Sequence, residues 1–180
     1  IPADWLRGYV HRGGVLIVEG LDQGVLQSAG RGSGKDEQDE MLRLLLSDGS
    51  SPGPFSMPYI RDEYSNDGHS ASVVCRPSEM VVSDWLRPVY EGIDRLVVGS
   101  PVPLAFSGEL LATTEISARV LTMDRYEDSA GPYLWAKVLP DGVGYIAVLT
   151  GSIVHDHWVE TNPDNARWIQ NVIVHLVDAS

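Results

Sequence analysis

The 180-residue chain has very little cysteine and little positive charge. Cys75 is its single cysteine, which excludes an internal disulfide and any zinc site built from several thiolates. Thirteen Lys and Arg residues stand against 25 Asp and Glu residues, so the formal charge is −12 at pH 7. Nucleic acids and anionic membranes are bound through basic surfaces, and this charge therefore argues against both as partners.

Long apolar runs are also missing from the sequence. No stretch reaches the ~18–20 residues that a transmembrane helix needs, and we expect no signal peptide. We therefore expect a cytoplasmic protein. Because the first residue is Ile1 and not methionine, we also expect the chain to be a fragment of a longer polypeptide.

What the sequence does contain is typical of one globular α/β domain over residues 1–180. Hydrophobic residues make up 43% of the chain, enough for a core. Trp5, Leu6, Tyr9 and Val10 share one helical face, and Gly13 ends that helix before "VLIV", a run typical of a buried parallel strand. Of the five tryptophans, we expect core positions for three: Trp5, Trp135 and Trp168.

The middle of the chain alternates short elements with polar loops. "DEMLRLLL" indicates a short helix, and residues 47–70 form a loop-rich insertion with too much Gly, Pro and Ser for regular structure. "SASVVC" indicates a strand, after which Pro77 fits the first turn of a helix through Leu86. The acidic runs "DEQDE" and "DEYSND" are typical of solvated surface.

The second half is rich in β-strand patterns. "DRLVVGSPVPL", "LLATT", "ARVLTM", "YLWAKVL" and "YIAVLTG" are β-branched or alternating, and "PDG" predicts a hairpin between the last two. Asn162 or Asp164 then caps a final helix. The predicted apolar stripe of this helix consists of Ala166, Ile169, Val172, Ile173 and Leu176.

Three regions of the sequence resemble the class I glutamine amidotransferase-like superfamily, which includes the ThuA-like proteins. They are "WLRGYVHRGGVLIVEG", "DGVGYIAVLTGSIVHDHWVETNPDNARWIQNVIVHLV", and the pair "DRLVVGSPVPL" and "LLATT". The resemblance implies a three-layer, flavodoxin-like sheet flanked by helices, here with a β-hairpin-rich C-terminal half. Such domains usually have one or two strands before the helix that opens this chain, so an upstream segment or a partner chain is expected to supply them.

The resemblance also implies a chemistry that this sequence departs from. The family's nucleophilic cysteine lies on a sharp turn between glycines, whereas Val73 and Pro77 stand two residues before and after Cys75. The family's His-x-Glu pair is replaced by "HDH", with Glu160 three residues later. We therefore expect no glutaminase activity and interpret Cys75 as a buried structural thiol. The catalytic residues of any other activity are unknown.

A candidate ligand site lies where the "VLIVEG" and "YIAVLTG" strands end, because open α/β sheets bind ligands at this edge. Its residues are Glu19, Asp22, Ser152, His155, His157, Trp158 and Glu160. If the loop is extended, His155 and His157 point the same way and could bind one divalent metal, with Glu19, Asp22 or His69 as a third ligand. Trp158 could stack on a sugar or on a partner side chain.

Three functions remain open on this evidence. We favour a non-catalytic module that binds a small polar ligand or a protein, either a partner or an upstream domain of the same polypeptide. The first alternative is an enzyme, either a ThuA-like carbohydrate-processing protein or a metal-dependent hydrolase using His155 and His157. The second is a scaffold whose sheet is completed by another chain. We expect no cofactor, apart from the metal of the enzyme alternative.

Overall fold

The structure is a computed structural model that describes residues 2–20, 59–62, 64, 66–68, 72–104, 108–122, 125–126, 130–154 and 156–180. The predicted helix over 39–46 lies outside these residues. The described residues form a mixed α/β fold. Its elements, in chain order, are α1 (Ala3–His11), β1 (Val15–Glu19), β2 (Tyr59–Arg61), β3 (Ser72–Cys75), the 3₁₀ helices η1 (Pro77–Glu79) and η2 (Asp84–Tyr90), β4 (Leu96–Gly99), β5 (Glu109–Thr113), β6 (Arg119–Thr122), β7 (Arg125–Tyr126), β8 (Leu134–Asp141), β9 (Gly144–Leu149), α2 (Asp156–Thr161) and α3 (Pro163–Ala179).

The largest sheet is mixed and has the strand order β1-β9-β8-β5. β1 runs parallel to β9, with Glu19 opposite Leu149, whereas the β9–β8 and β8–β5 pairs are antiparallel. β2, β6 and β7 form a second sheet, and β3 pairs with β4 in a third. The strands predicted from "VLIV", "SASVVC", "LLATT", "YLWAKVL" and "YIAVLTG" are confirmed.

Helices α1 and α3 pack on opposite faces of the largest sheet. Successive side chains of a strand point to opposite faces. Ile146 and Val148 of β9 cluster with Val10 of α1. Ala147 and Leu149, which alternate with them, belong to the main core into which α3 packs. In this region the sheet therefore has a helix on each face.

The hairpin predicted from "PDG" is also confirmed. β8 and β9 are paired up to Asp141 and Gly144, so Gly142 and Val143 are the two central residues of the turn. Gly142 has φ 68°, and a glycine with positive φ at the first central position is the pattern of type II′ turns. A Cβ at this position would lie 2.5 Å from Nδ1 of His11, so the turn packs closely against the end of α1.

The segment between β3 and β4 differs from the predicted helix. Pro77 begins a helical turn as expected, but this 3₁₀ turn ends at Glu79. The chain then pairs with β5, where the Ser83 N–H donates to the Leu110 carbonyl (2.9 Å) and the Leu110 N–H donates to Ser83 Oγ (3.0 Å). β-Branched Val81 and Val82 disfavour a helix only weakly, so we attribute the difference to these tertiary hydrogen bonds. The predicted loop region 47–70 also contains an unexpected strand, β2.

The tryptophan predictions are correct for two residues and wrong for one. Trp135 and Trp168 are fully buried, with ring centroids 5.7 Å apart. Trp5 is 58% exposed and stacks on Tyr9, because α1 turns only Leu6 and Val10 toward the sheet. An exposed aromatic pair therefore stands where the sequence predicted core.

The buried stripe of α3 is rotated relative to the prediction. Ile173, expected in the core, is 43% exposed, and Ala166 is exposed as well. The residues that α3 buries are Asn165, Trp168, Val172 and Leu176. The buried face includes the polar Asn165, a position that a pattern of apolar residues cannot reveal.

Asn165 joins α3 to β4 through its side-chain amide. Its Oδ1 accepts from the Val97 N–H (3.0 Å) and its Nδ2 donates to the Val97 carbonyl (2.8 Å), as the backbone of a neighbouring strand would. The same Nδ2 donates to the Ile153 carbonyl (3.1 Å). Asn165 is fully buried, so water cannot replace these bonds if the amide is removed.

The polar residues at the start of α3 bind the chain before β4 and do not cap their own helix. Asn162 occupies the N-cap position as predicted, but its side chain makes no capping bond. Its Nδ2 donates to Asn165 Oδ1 (2.7 Å) and to the Arg95 carbonyl (3.3 Å). Asp164 Oδ2 accepts from the backbone N–H groups of Asp94 (2.9 Å) and Arg95 (3.2 Å). The polar start of α3 is therefore a docking surface for the segment that leads into β4.

We predict that Asn165→Ala lowers the free energy of unfolding by about 2–4 kcal/mol, because several buried backbone groups lose their partner at once. Gln170→Ala, at an exposed position of the same helix, is the matched control and should change it by less than about 0.5 kcal/mol. Urea unfolding followed by circular dichroism measures both. Equal stability of the two variants would contradict the role given to Asn165.

Candidate functional site: the carboxyl end and the outer edge of strand β1

Glu19 lies at the carboxyl end of β1, beside the chain that follows β9, as predicted. Its Oε1 accepts hydrogen bonds from the backbone N–H groups of Ile153 and Val154, the second at 3.0 Å. The parallel β1–β9 pair brings these groups together, because Glu19 stands opposite the last residue of β9. The carboxylate therefore fixes the loop after β9.

Ser152 is buried and links the end of β9 to β4. Its N–H donates to the Gly99 carbonyl (2.9 Å), and its carbonyl accepts from the Gly99 N–H (2.8 Å). The chains pack tightly here, since a Cβ on Gly151 would lie 2.3 Å from Cγ1 of Val98. The backbone role of Ser152 is structural.

The remaining predicted ligand residues are described only in part. Asp22, His69 and His155 lie outside the described residues, His157 and Trp158 lie in α2, and Glu160 is exposed on the same helix. The expectation of an extended loop through His157 is wrong, because α2 begins at Asp156. Within the described ranges, no three His, Cys, Asp or Glu side chains form a group that could hold a metal ion. The metal site at His155 and His157 stays a prediction.

Cys75 is a buried residue of a regular strand. It pairs with Leu96 in the β3–β4 sheet and its side chain is inaccessible to solvent. Burial raises the pKa of the Cys75 thiol far above its ordinary range, and the nearby carboxylates of Glu115 and Asp62 add to this shift. At neutral pH the sulfur is therefore the protonated thiol, which is a poor nucleophile.

The two carboxylates near Cys75 are themselves buried and hydrogen bonded. Glu115 forms an ion pair with Arg76, with Nη1 and Oε1 2.6 Å apart. Asp62 accepts from Ser117 Oγ (2.5 Å) and from the Tyr64 N–H (2.9 Å). Asp62 is only 4% exposed, although it opens an acidic run that the sequence predicted to be solvated. The sequence carries no signal for this burial, because the side chains that pair with Asp62 and Glu115, Ser117 and Arg76, come from distant segments.

The groove between η2 and α3 is lined by polar and apolar residues, and the polar groups of α3 bond the end of η2 and the residues that follow it. Arg167 Nη1 donates to the Gly92 carbonyl (2.7 Å), and Asn171 Nδ2 donates to the carbonyls of Val89 (3.0 Å) and Glu91 (3.2 Å). We therefore interpret this groove as a structural contact.

Along its outer edge, β1 directs backbone hydrogen-bonding groups away from β9. The Tyr145 N–H donates to the Gly14 carbonyl (3.2 Å) and the Gly20 N–H donates to the Leu149 carbonyl (2.7 Å). In a parallel ladder the backbone groups of alternate residues point to the same neighbour, so Leu16 and Val18 direct their N–H and C=O groups toward β9. The same groups of Val15, Ile17 and Glu19 point to the other side. In the part of the chain that the structure describes, no strand pairs with this outer side.

Two other strand edges, those of β5 and β4, are covered by polar contacts. The segment before η2 lies along β5, where Ser83 bonds Leu110 and the Val81 N–H donates to Thr113 Oγ1 (2.8 Å). The Asn165 amide covers β4 at Val97. Uncovered apolar edges favour association with other chains, so the difference between β1 and these two strands points to the β1 edge as a binding surface.

On one face of the sheet, the outer edge of β1 is flanked by the exposed aromatic pair of α1. The Tyr9 ring lies against Gly14, where a Cβ would be only 2.3 Å from Tyr9 Cε1, and Trp5 stacks on it with centroids 6.2 Å apart. His11, on the other side of α1, lies next to Asp141 of β8. The aromatic pair is therefore on the side of α1 that faces the outer edge of β1.

On the opposite face, the same edge is flanked by apolar residues of α3. Arg167 and Asn171 mark the side of α3 that faces η2. Ile169 and Ile173 lie on the other side of the helix, and Ile169 is partly buried at the margin of the core that contains Ile17 of β1. Both faces beside the β1 edge are thus apolar.

Residues 2–19 are electrically balanced, unlike the chain as a whole. Asp4 and Glu19 are matched by Arg7 and Arg12, whereas the complete chain carries −12. The β1 surface, which we define as the outer edge of β1 with Trp5, Tyr9 and Ile173, is therefore apolar, close to neutral and unpaired by any described strand. Each of these properties favours a protein partner.

No protein-family model, curated protein or solved structure matches the chain. No helix in the described ranges combines the length and the apolar character needed to cross a bilayer.

We predict that native Cys75 resists alkylation by iodoacetamide at pH 7. It should remain resistant at pH 9, which is above the pKa of about 8.5 of an ordinary cysteine thiol. The urea-unfolded protein should react completely under the same conditions, because its thiol is then solvated. Mass spectrometry counts the adducts. Rapid alkylation of the native protein would contradict the burial of this sulfur and its interpretation as a structural thiol.

We predict that Glu19→Ala lowers the free energy of unfolding by about 1–2 kcal/mol, because two backbone N–H groups lose their acceptor. Glu19→Gln keeps an acceptor oxygen without the charge and should cost about half as much. Glu160→Ala, at an exposed position of α2, is the control, with an expected change below about 0.5 kcal/mol. If the stability of Glu19→Ala equals that of the control, the carboxylate has another role.

Proposed function

We propose that this chain is a non-catalytic protein-interaction module that receives an extended strand of a protein partner along the outer edge of β1. The observation that carries the proposal is the outward direction of the backbone groups of Val15, Ile17 and Glu19 in a strand left unpaired on that side in the described structure. A strand added at such an edge gains main-chain hydrogen bonds, and its side chains contact the flanking faces.

The flanking residues supply the apolar part of this binding surface. Trp5 and Tyr9 are 58% and 42% exposed, and aromatic residues are enriched at the centres of protein interfaces. The five residues of β1 are each half-buried, although four of them are aliphatic. Covering this surface would remove apolar area from water, which stabilises a complex by about 25 cal/mol for each Å² buried.

The non-catalytic part of the proposal is supported by the chemistry of two residues. Cys75, the chain's single cysteine and the one residue that could replace the family's nucleophile, is buried and kept protonated. Glu19, a predicted ligand residue, is engaged by two backbone N–H groups. Both side chains serve the fold, which leaves the β1 surface as the described feature best suited to binding.

We also propose that the mixed sheet belongs to a three-layer, flavodoxin-like domain of the amidotransferase-like type. The parallel β1–β9 pair and the packing of α1 and α3 on opposite faces support this, as do the three resembling segments. In such domains one or two strands usually precede the opening helix. The outer edge of β1 is a place where a strand supplied by another segment or chain could complete the sheet.

We predict that the amides of Val15, Ile17 and Glu19 exchange with solvent much faster than those of Leu16 and Val18 at high dilution, because only the latter donate within the ladder. Hydrogen–deuterium exchange with residue-level fragmentation measures this alternation. Equal protection of all five amides in the dilute, monomeric protein would mean that the chain covers this edge itself, and the proposed function would be lost.

A further inference from the structure

We infer that the partner at the β1 surface is a second copy of this chain, with the two β1 strands antiparallel and centred on Ile17. This inference rests on the proposed function, since it names the occupant of the same edge. The sheets of two copies then join into one continuous sheet.

The register follows from the direction of the backbone groups. In an antiparallel pair, residues that exchange both hydrogen bonds stand directly opposite one another. With Ile17 opposite the partner's Ile17, Val15 stands opposite the partner's Glu19, and all three outward-facing residues are of the bonding type. This arrangement forms about six interchain hydrogen bonds and leaves none of these outward groups unpaired.

The symmetry of this pairing also covers the exposed apolar residues. A two-fold axis at Ile17 runs perpendicular to the joined sheet, so the two α1 helices lie on one face and the two α3 helices on the other. The exposed Trp5 and Tyr9 of α1 then face the partner's α1 across the axis. Ile173 of α3 faces the partner's α3 in the same way.

If two copies of this protein associate, their charge favours the β1 surface as the contact over the other surfaces of the protein. Two molecules of charge −12 repel each other, and surfaces bearing the excess acid are poor places for them to meet. The balance of Asp4 and Glu19 with Arg7 and Arg12 removes this obstacle at the β1 surface. A strongly basic or acidic partner, in contrast, would find no complementary charge here.

The test is the oligomeric state of the full chain in sedimentation velocity over a range of concentrations. The wild type should be a dimer that dissociates on dilution. Ile17→Pro removes an outward N–H without breaking the β1–β9 ladder, and proline is tolerated at edge positions of this kind. Two donors are lost for each dimer, so the dissociation constant should rise about 30-fold or more. Circular dichroism verifies that the variant is folded.

Matched variants separate the edge from side-chain packing. Ile17→Ala loses the same side chain but keeps the N–H, so its dissociation constant should rise much less than that of Ile17→Pro. Trp5→Glu places like charges opposite each other on the two α1 helices, and it should weaken the dimer about 10-fold or more. Ile116→Glu alters an apolar residue that is 70% exposed outside the β1 surface, and it should leave the dimer unchanged.

The outcomes of this experiment distinguish the second copy as partner from the proposed function of the β1 surface. A monomeric wild type at the highest concentration, with fast exchange at Val15, Ile17 and Glu19, overturns the second copy as partner while the proposed function stands. A dimer that Ile17→Pro and Trp5→Glu leave intact, with Ile17→Pro folded, overturns this surface as the dimer contact. A dimer weakened by both variants and not by Ile116→Glu supports the inference.

Discussion

The amide of Asn165 is the contact on which the described structure depends. It bonds both backbone groups of Val97 in β4 and the carbonyl of Ile153 in the loop after β9, so one side chain ties together a helix, a strand edge and a loop. Because the amide is buried, these bonds have no solvent alternative. They fix the rotation of α3, and that rotation places Trp168 in the core and Ile173 at the surface.

The same requirement, that strand edges be bonded, connects the fold to the proposed function. β4 is covered by Asn165 and β5 by the segment around Ser83, each through contacts within the described structure. β1 runs along the margin of the sheet with its outer groups directed away from it. In the described residues the β1 edge has no such cover, and an apolar strand edge of this kind is suited to pairing with another chain.

Cys75 and Glu19 show how residues that resemble catalytic or ligand groups can serve the fold. The thiol lies inside a regular strand and is held protonated by burial, and the carboxylate accepts from two backbone N–H groups. Both roles follow from the position of the residue in the strand ladder. A polar or nucleophilic side chain at a strand end is therefore weak evidence for chemistry until its hydrogen-bond partners are known.

The sequence by itself determined the local elements: the Gly13 stop after α1, the apolar strands, the "PDG" hairpin and the final helix follow from periodicity and turn chemistry, which depend on near neighbours. Tertiary structure alone decided the exposure of Trp5, the 3₁₀ turns after Pro77, the burial of Asp62 and Asn165, and the position of β1 at the margin of the described sheet. Each of these depends on hydrogen bonds or packing between segments far apart in the chain, and such partners leave no periodic signal in the sequence.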